Sequence, residues 1–243
     1  DDMRLGIECL LASDLQQAQI LAVQLDDINR SRREVQDDMQ ADALDIWEAY
    51  EGELPLGLCA YQDHWHAGVV GLVASKLKEK YHRPAIAFAL GEGGKLKGSA
   101  RSVMGFNIRD GLAAIATTYP GLIEKFGGHA MAAGLTLAAD GYETFCAAFA
   151  AEVARHLSAD DVQAVVVSDG ALRDEELSLA SALVLRDGGP WGNGFAEPVF
   201  DGTFTVQSVR VLKEVHLKLS LLPLAGGQAL SAIHFFAHED TLR

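Results

Sequence analysis

Residues Gly127–Gly134 have the sequence GGHAMAAG, and this segment determines how the 243-residue chain positions its most informative side chain, His129. The segment lies between a basic, aromatic approach, Lys125-Phe126, and an apolar strand pattern that begins at Leu135. Paired glycines allow the backbone to turn sharply and allow a ligand to approach it closely. The sequence therefore predicts a turn that presents the imidazole of His129 rather than burying it.

The sequence around this turn alternates between strand and helix patterns. Three apolar segments have the length and composition of buried strands: 56–61, 84–90 and 95–101. Three amphipathic segments are predicted helices: 68–81, 107–118 and 141–157. This alternation predicts an α/β domain with a mostly parallel or mixed sheet covered by helices, which we assign to residues 56–158.

One long helix is predicted ahead of this domain, over residues 14–50. Asp14 is a residue type that caps helix N-termini, and Gly52 and Pro55 end the pattern. Apolar residues at helical spacing form one stripe: Leu21, Leu25, Ile28, Val35, Met39, Ile46 and Tyr50. A helix of this length often connects two domains, and an ordinary surface helix is the alternative. We assign residues 1–55 to a connecting region.

The pattern changes after residue 158. A β-branched run at 162–168 and a helical pattern at 175–185 precede a glycine-rich loop. Three strand patterns follow that loop: 199–212, 216–222 and 229–236. These features predict an antiparallel β-barrel of OB type. Because three or four strands do not close such a barrel, we expect residues 159–243 to form an OB-like domain that is truncated at Arg243.

Composition indicates a globular chain with no membrane segment. Hydrophobic residues make up 49% of the sequence, and no apolar run approaches the roughly 20 residues that span a bilayer. The start, Asp1–Arg4, lacks the features of a secretion signal and lacks an initiator methionine, so we expect a cytoplasmic segment of a longer protein. The three widely spaced cysteines are predicted free thiols: Cys9, Cys59 and Cys146.

The only basic part of the chain contains the GGHAMAAG segment. Residues 64–134 carry 9 basic and 4 acidic side chains, whereas the whole chain has a net charge of −14. Such an acidic chain is not a general nucleic-acid binder. A positive site within an acidic shell suits a polyanion that is held locally, and chance clustering of solvated lysines is the alternative.

The strongest candidate residues lie in this basic part. His129 can hydrogen-bond a phosphate or a base edge, or assist proton transfer near neutral pH, and a structural histidine is the alternative. Ser99 and Arg101 are two apart on a predicted strand, so they share a face with each other and with Lys97. A hydroxyl beside a forked guanidinium suits phosphate binding, whereas a solvated edge strand is the alternative.

His66 is a weaker candidate. It precedes the helix predicted at 68–81, whose free N–H groups favour an anion, and capping or packing is the alternative. A metal site formed by Asp63, His64 and His66 is disfavoured because the H-x-H spacing is short and common.

The candidates in the last region are aromatic or basic. Trp191 and Phe195 either stack on nucleobases or hold the glycine loop against the barrel. Lys213, His216 and Lys218 lie on one strand or its turn and are candidates for contact with backbone phosphates. The chain has no Walker A, GxSxG, HExxH or GxGxxG motif, and no cluster of aspartates and histidines that would hold two metal ions. It therefore lacks a convincing catalytic centre of its own.

Together these motifs resemble the RecJ family of single-stranded-DNA-specific 5′ exonucleases. GGHAMAAG resembles the GGHxxAxG signature of the DHH-associated domain in that family. Further similar segments cover the joining helix, the same domain and the start of the OB region: 25–34, 65–77, 82–89, 96–102 and 189–202. The resemblance extends over nearly the whole chain.

The resemblance implies a DHH-family hydrolase that removes nucleotides from a 5′ end of single-stranded DNA in DNA repair and recombination. A DHH domain that this chain lacks would bind Mn2+ or Mg2+, and metal-activated water would attack the phosphodiester. The present segment would bind no metal and would be inactive alone. The implied partners are single-stranded DNA, the DHH domain, and repair proteins such as a helicase or a single-strand-binding protein.

Residue roles carry over motif by motif. Ser99 and Arg101 would grip the 5′-terminal phosphate, and His66 would contact a backbone phosphate. The residues that would face the scissile region are Gly127, Gly128 and His129. The other implied substrate contacts are Lys97, Lys76, Lys213, Lys218 and Trp191. The alternatives are a non-catalytic protein-interaction module, and a phosphodiesterase of small oligonucleotides, which the barrel and the long helix disfavour.

Overall fold

The structure is a computed structural model that describes residues 2–192, 194–224 and 226–237. The chain divides into two compact units, Asp1–Ala164 and Val165–Arg243. The three-part division that the sequence predicts, with boundaries after residues 55 and 158, stays a prediction.

Two helices open the first unit. Helix α1 (Asp2–Leu10), which the sequence analysis missed, packs against the long helix α2 (Leu15–Glu48). The Asp14 carboxylate accepts a hydrogen bond from the Gln17 N–H at 2.8 Å, which confirms the predicted cap.

The predicted stripe on α2 is only partly buried. The buried residues all lie in the last third of the helix: Met39, Ala43 and Trp47. Val35 and Tyr50 are exposed, so the apolar stripe is not buried along its whole length, and Trp47 is the buried aromatic residue near its end. The physical reason is that the domain core supports only the final turns of the helix.

A five-stranded mixed sheet forms the centre of the first unit, with strand order β1-β2-β3-β5-β4. Its strands are β1 (Leu58–Tyr61), β2 (Ala85–Leu90), β3 (Lys95–Arg101), β4 (Ile123–Gly128) and β5 (Ala132–Ala138). Strands β1 and β2 are parallel, and the other neighbours are antiparallel. The mixed sheet, one of the two predicted alternatives, is therefore the one that forms.

Helices cover the two faces of this sheet unequally. Helices α4 (Ile108–Thr118) and α5 (Tyr142–Ala154) bury an aromatic core against one face, where Phe88 meets Phe145 edge to face at 5.6 Å. Helix α3 (Val70–Tyr81) packs on the other face, against β2 and β3. The β5 and β4 half of that outer face, including Gly134 and Lys125, remains exposed.

The second unit contains helix α6 (Leu179–Asp187) and an antiparallel sheet in the order β6-β7-β8. The strands are β6 (Phe204–Leu212), β7 (His216–Pro223) and β8 (Leu230–His234). Helix α6 begins four residues later than predicted, because Ser178 caps it and residues 174–176 form a short 3-10 turn. The β-branched run at 162–168 forms no strand. The predicted truncation at Arg243 lies outside the described residues.

Two predictions from composition can be compared with the structure. All three cysteines are free, and burial raises the pKa of the Cys59 thiol well above its usual value. None of the described helices combines the length and the apolar character that a membrane span requires.

Candidate nucleic-acid interface

Strand β3 presents its polar residues on the outer face of the sheet, the side covered by α3. Alternation along β3 turns Leu96 and Ala100 into the core. Lys97, Ser99 and Arg101 occupy the intervening positions and are exposed or half-buried. The structure therefore confirms that these three residues share a face.

The Arg101 guanidinium is held in place by its own strand. Its Nη1 donates to Ser99 Oγ at 3.1 Å and to the Ala100 carbonyl oxygen at 2.9 Å. Within the described residues, Arg101 forms no ion pair with a carboxylate. A half-buried positive charge without an acidic neighbour retains N–H groups that can bind an anion.

The first turn of α3 lies against these two side chains. Gly71 is the second residue of α3, and a Cβ on it would lie 3.1 Å from Arg101 Nη2 and 3.2 Å from Ser99 Oγ. The first N–H groups of a helix lack intrahelical partners and carry the positive end of the dipole. Hydroxyl, guanidinium and helix N-terminus therefore lie close together, a combination whose chemistry suits an anion. Sequence reasoning missed Gly71, although a glycine inside a helical pattern is a usable signal.

The turn between β4 and β5 presents His129 as the sequence predicts. The His129 N–H donates to the Ala132 carbonyl at 2.8 Å, and the N–H groups of Ser102 and Ile108 donate to carbonyls of the turn. The imidazole is exposed on this anchored turn. Arg101 pairs with Ala132 in the β3–β5 register, so the turn lies next to the end of β3 that carries Arg101.

The two glycines of the motif have different structural roles. Gly128 has a φ of 148°, and a Cβ on it would lie 2.4 Å from the Ala132 carbonyl oxygen. The fold therefore requires glycine at this position. A Cβ on Gly127 would meet no atom within 4 Å, so packing does not explain that glycine.

His66 precedes α3 and makes contacts of its own with the backbone. Its Nδ1 accepts from the Gly68 N–H at 3.1 Å, which directs Nε2 outward as the protonated nitrogen. It lines a groove of about 800 Å³ between α2 and the β1–α3 loop, together with Arg32. Asp27 lines the same groove, so acidic and basic side chains both face it.

The residues weighed as a metal site do not converge. His64 hydrogen-bonds the Asp42 carboxylate at 2.8 Å, Asp63 hydrogen-bonds Tyr61, and His66 accepts from the backbone. Over the parts of the chain that the structure describes, no three His, Cys, Asp or Glu side chains are grouped so as to hold a metal ion.

The remaining predicted contacts are dispersed. Lys76 lies on the solvent face of α3, and Lys97 extends over Gly91. Lys213 lies in the β6–β7 turn with a φ of 49°, whereas Lys218 lies on β7 opposite Arg210. The pairing of Lys218 with Arg210 creates a basic position that the sequence analysis did not identify, because β6–β7 register is not visible in sequence.

Trp191 is used inside its own loop. Its Nε1 donates to the Leu185 carbonyl at 2.9 Å, and its ring stacks on Phe195 with centroids 4.8 Å apart. These contacts tie the loop to the end of α6 and to itself, and both predicted roles, base stacking and holding the loop against the barrel, stay predictions.

We therefore expect Trp191→Ala to destabilise the second unit by about 1–2 kcal/mol, since it removes a ring stack and a partly buried hydrogen bond. Urea unfolding of the chain measures this loss, and proteolytic cleavage of the second unit at each urea concentration is the readout. Trp191→Phe is the control that keeps the stack and loses only the hydrogen bond. An unchanged unfolding curve with much weaker DNA binding would contradict this role.

Comparison with known proteins supplies the family. A DHHA1 domain model matches residues 56–155, and a RecJ OB domain model matches residues 168–243. The single-stranded-DNA-specific exonuclease RecJ of Dickeya dadantii (strain 3937) is 49% identical over 245 residues, which cover 100% of this chain and 42% of that protein. The protein of the same name from Escherichia coli (strain K12) is 45% identical and covers 97% of this chain and 41% of its own length.

Over its whole length, the chain matches the C-terminal part of RecJ. A solved structure of RecJ with Mn2+ from Thermus thermophilus superposes with a TM-score of 0.75 at 26% identity, over 98% of this chain and 33% of that chain. The same RecJ has also been solved with Mg2+. This chain therefore spans about two fifths of the length of its curated RecJ relatives.

Proposed function

We propose that this chain is the substrate-holding part of a metal-dependent 5′-to-3′ single-stranded-DNA exonuclease, with Ser99 and Arg101 binding the 5′-terminal phosphate. The observation that carries the proposal is the Arg101 guanidinium, bonded to Ser99 Oγ over the first turn of α3 and without an acidic partner in the described residues. A terminal phosphate monoester carries more charge than an internal linkage, so such a position favours chain ends.

The other candidates take supporting roles in this proposal. His129 and Gly127 face the scissile region from the β4–β5 turn, and His66 contacts a backbone phosphate from the groove along α2. Basic side chains guide the strand farther from its end: Lys97, Lys76, Lys213 and Lys218. The relatives are named single-stranded-DNA-specific exonucleases, which supports this choice of substrate.

The catalytic metal belongs elsewhere in this proposal. RecJ structures contain Mn2+ or Mg2+, but the described residues provide no fitting set of ligands. We assign the ion to a DHH domain and expect this chain alone to be inactive. We also place the protein in the cytoplasm, in DNA repair and recombination, with a helicase or a single-strand-binding protein as further partners.

Fluorescence anisotropy with short single-stranded DNA at low salt tests the proposal directly. We expect the chain to bind a 5′-phosphorylated oligonucleotide about tenfold more tightly than its 5′-hydroxyl counterpart, because charge-assisted hydrogen bonds contribute about 1.5–3 kcal/mol. The same comparison with the phosphate at the 3′ end controls for total charge. Equal affinity for the 5′-phosphorylated, 5′-hydroxyl and 3′-phosphorylated oligonucleotides would show that this chain does not recognise the 5′ end. Absence of DNA binding together with capture of a protein partner would favour an interaction module instead.

A further inference from the structure

Strand β1 and helix α5 pack against each other and run in opposite directions. Tyr61, at the end of β1, meets Tyr142, at the start of α5, with ring centroids 5.6 Å apart. At the other end of the contact, a Cβ on Gly57, just before β1, would lie 2.9 Å from Val153 and 3.0 Å from Phe149. These two contacts determine which residues of the strand lie opposite which residues of the helix.

The alignment places Cys59 of β1 opposite Cys146 of α5. Cys59 lies between Gly57 and Tyr61 on the same face of the strand, because side chains alternate along a strand. Cys146 lies about one helical turn after Tyr142. Two residues of a strand advance about 6.7 Å and four residues of a helix advance about 6 Å, so the two cysteines stay in step. Cys59 belongs to the core that α5 covers, Cys146 packs against that core, and the two thiols hydrogen-bond each other.

Their surroundings make the two thiols chemically different. Cys59 is buried, and burial raises the pKa of its thiol well above the usual value. Cys146 is half-buried, and hydrogen bonds from the Cys59 thiol and from the Tyr142 hydroxyl lower the pKa of its thiol. The thiolate is the nucleophilic form of cysteine. Cys146 is therefore the attacking thiol of the pair, and Cys59 is the neighbour that can resolve its oxidised form.

We propose that Cys146 and Cys59 form a peroxide-sensitive pair that closes to a reversible disulfide inside the first unit. The Cys146 thiolate attacks hydrogen peroxide, becomes a sulfenic acid and releases hydroxide. The Cys59 sulfur then attacks the Cys146 sulfur, so that the S–S bond forms while the S–O bond breaks. The Cys59 thiol proton leaves with the sulfenic hydroxyl group as water.

The reaction oxidises two thiols and reduces one peroxide to water, and a small thiol reverses it by exchange. In a reducing compartment, disulfides of this kind are transient and sense oxidants. The new bond would tie β1, an edge strand of the five-stranded sheet, to the helix that covers it.

Peptide mapping of the unaltered chain after oxidation tests the proposal. The folded chain is treated with hydrogen peroxide, its remaining thiols are alkylated with iodoacetamide, and it is digested without reductant. We expect a cross-linked pair of peptides that contains Cys59 and Cys146 and that dithiothreitol separates. Cys9, which lies on α1, should be recovered in its alkylated form.

Variants assign the roles within the pair. Cys59→Ser removes the resolving thiol, so Cys146 should accumulate as a sulfenic acid that dimedone traps. Cys146→Ser should leave Cys59 reduced, because its buried thiol lacks the attacking partner. Tyr142→Phe keeps the ring and removes the hydroxyl donor, and it should slow the oxidation of Cys146. Cys9→Ser is the matched control and should form the cross-link as the unaltered chain does.

The outcomes that contradict the proposal are separate from one another. Recovery of both Cys59 and Cys146 as alkylated peptides from the peroxide-treated, unaltered chain would overturn the pair, whether or not the serine variants fold. Cross-links that join Cys9 to either residue as often as they join Cys59 to Cys146 would also overturn it. Dimedone labelling of Cys59 in Cys146→Ser, with none on Cys146 in Cys59→Ser, would overturn the assignment of Cys146 as the attacking thiol.

Discussion

Arg101→Ala should abolish the preference for 5′-phosphorylated ends, with a loss of affinity for them of about 10- to 100-fold. The substitution removes a half-buried guanidinium that Ser99 and the first turn of α3 hold in position. Hydrogen bonds that involve a charged group contribute about 1.5–3 kcal/mol, which corresponds to this range. Affinity for 5′-hydroxyl DNA should change little, because that end presents no terminal phosphate.

Two further variants make the Arg101 experiment specific. Arg101→Lys keeps the charge but loses the planar fork, so it should restore only part of the preference. Arg109→Ala removes the same charge from an exposed position beside Asp110 and should bind both ends normally. If Arg101→Ala still distinguishes the two ends as the unaltered chain does, the phosphate position is wrong.

Gly128→Ala should lower the free energy of unfolding of the first unit by about 3 kcal/mol. The φ of 148° is unfavourable for a residue with a side chain, and the new Cβ would lie 2.4 Å from one backbone oxygen and 2.5 Å from the Ala133 Cα. Backbone atoms within a paired hairpin cannot move aside without breaking the pairing. The cost of the strained φ and the cost of displacing these backbone atoms therefore add in the free energy of unfolding.

The neighbouring glycine provides the matched control. Gly127→Ala places its methyl group in open space, so we expect its urea midpoint to stay close to that of the unaltered chain. Circular dichroism during urea unfolding measures both variants under the same conditions. Equal stability of the two variants would show that the hairpin tolerates a side chain at 128, against the geometry described above.

The regular elements were the most predictable part of this chain. Strand β3 runs from Lys95 to Arg101 as predicted, because its alternation of polar and apolar residues is uninterrupted. The predicted Asp14 cap forms, since a capping side chain acts within three residues of its own position. Local signals such as these are fully present in the sequence.

The candidate site was predictable in its side chains but not in its surroundings. The i, i+2 spacing of Ser99 and Arg101 placed them on one face, whereas the approach of Gly71 depends on how α3 packs across the sheet. Trp191 illustrates the same limit, because the geometry of its loop, which the sequence does not show, places the indole ring on Phe195. Helix α2 shows it as well, since an apolar stripe does not reveal how far the supporting core extends.

Helix α3 covers only the β2 and β3 half of the outer face of the sheet, so the β5 and β4 half is open. Because this half is exposed, a DNA strand bound there would contact the first unit on one side only. Differences in affinity for such a surface appear mainly as differences in residence time. Under the proposed function, a DNA strand on this face therefore needs a second surface opposite the sheet to remain bound between successive steps.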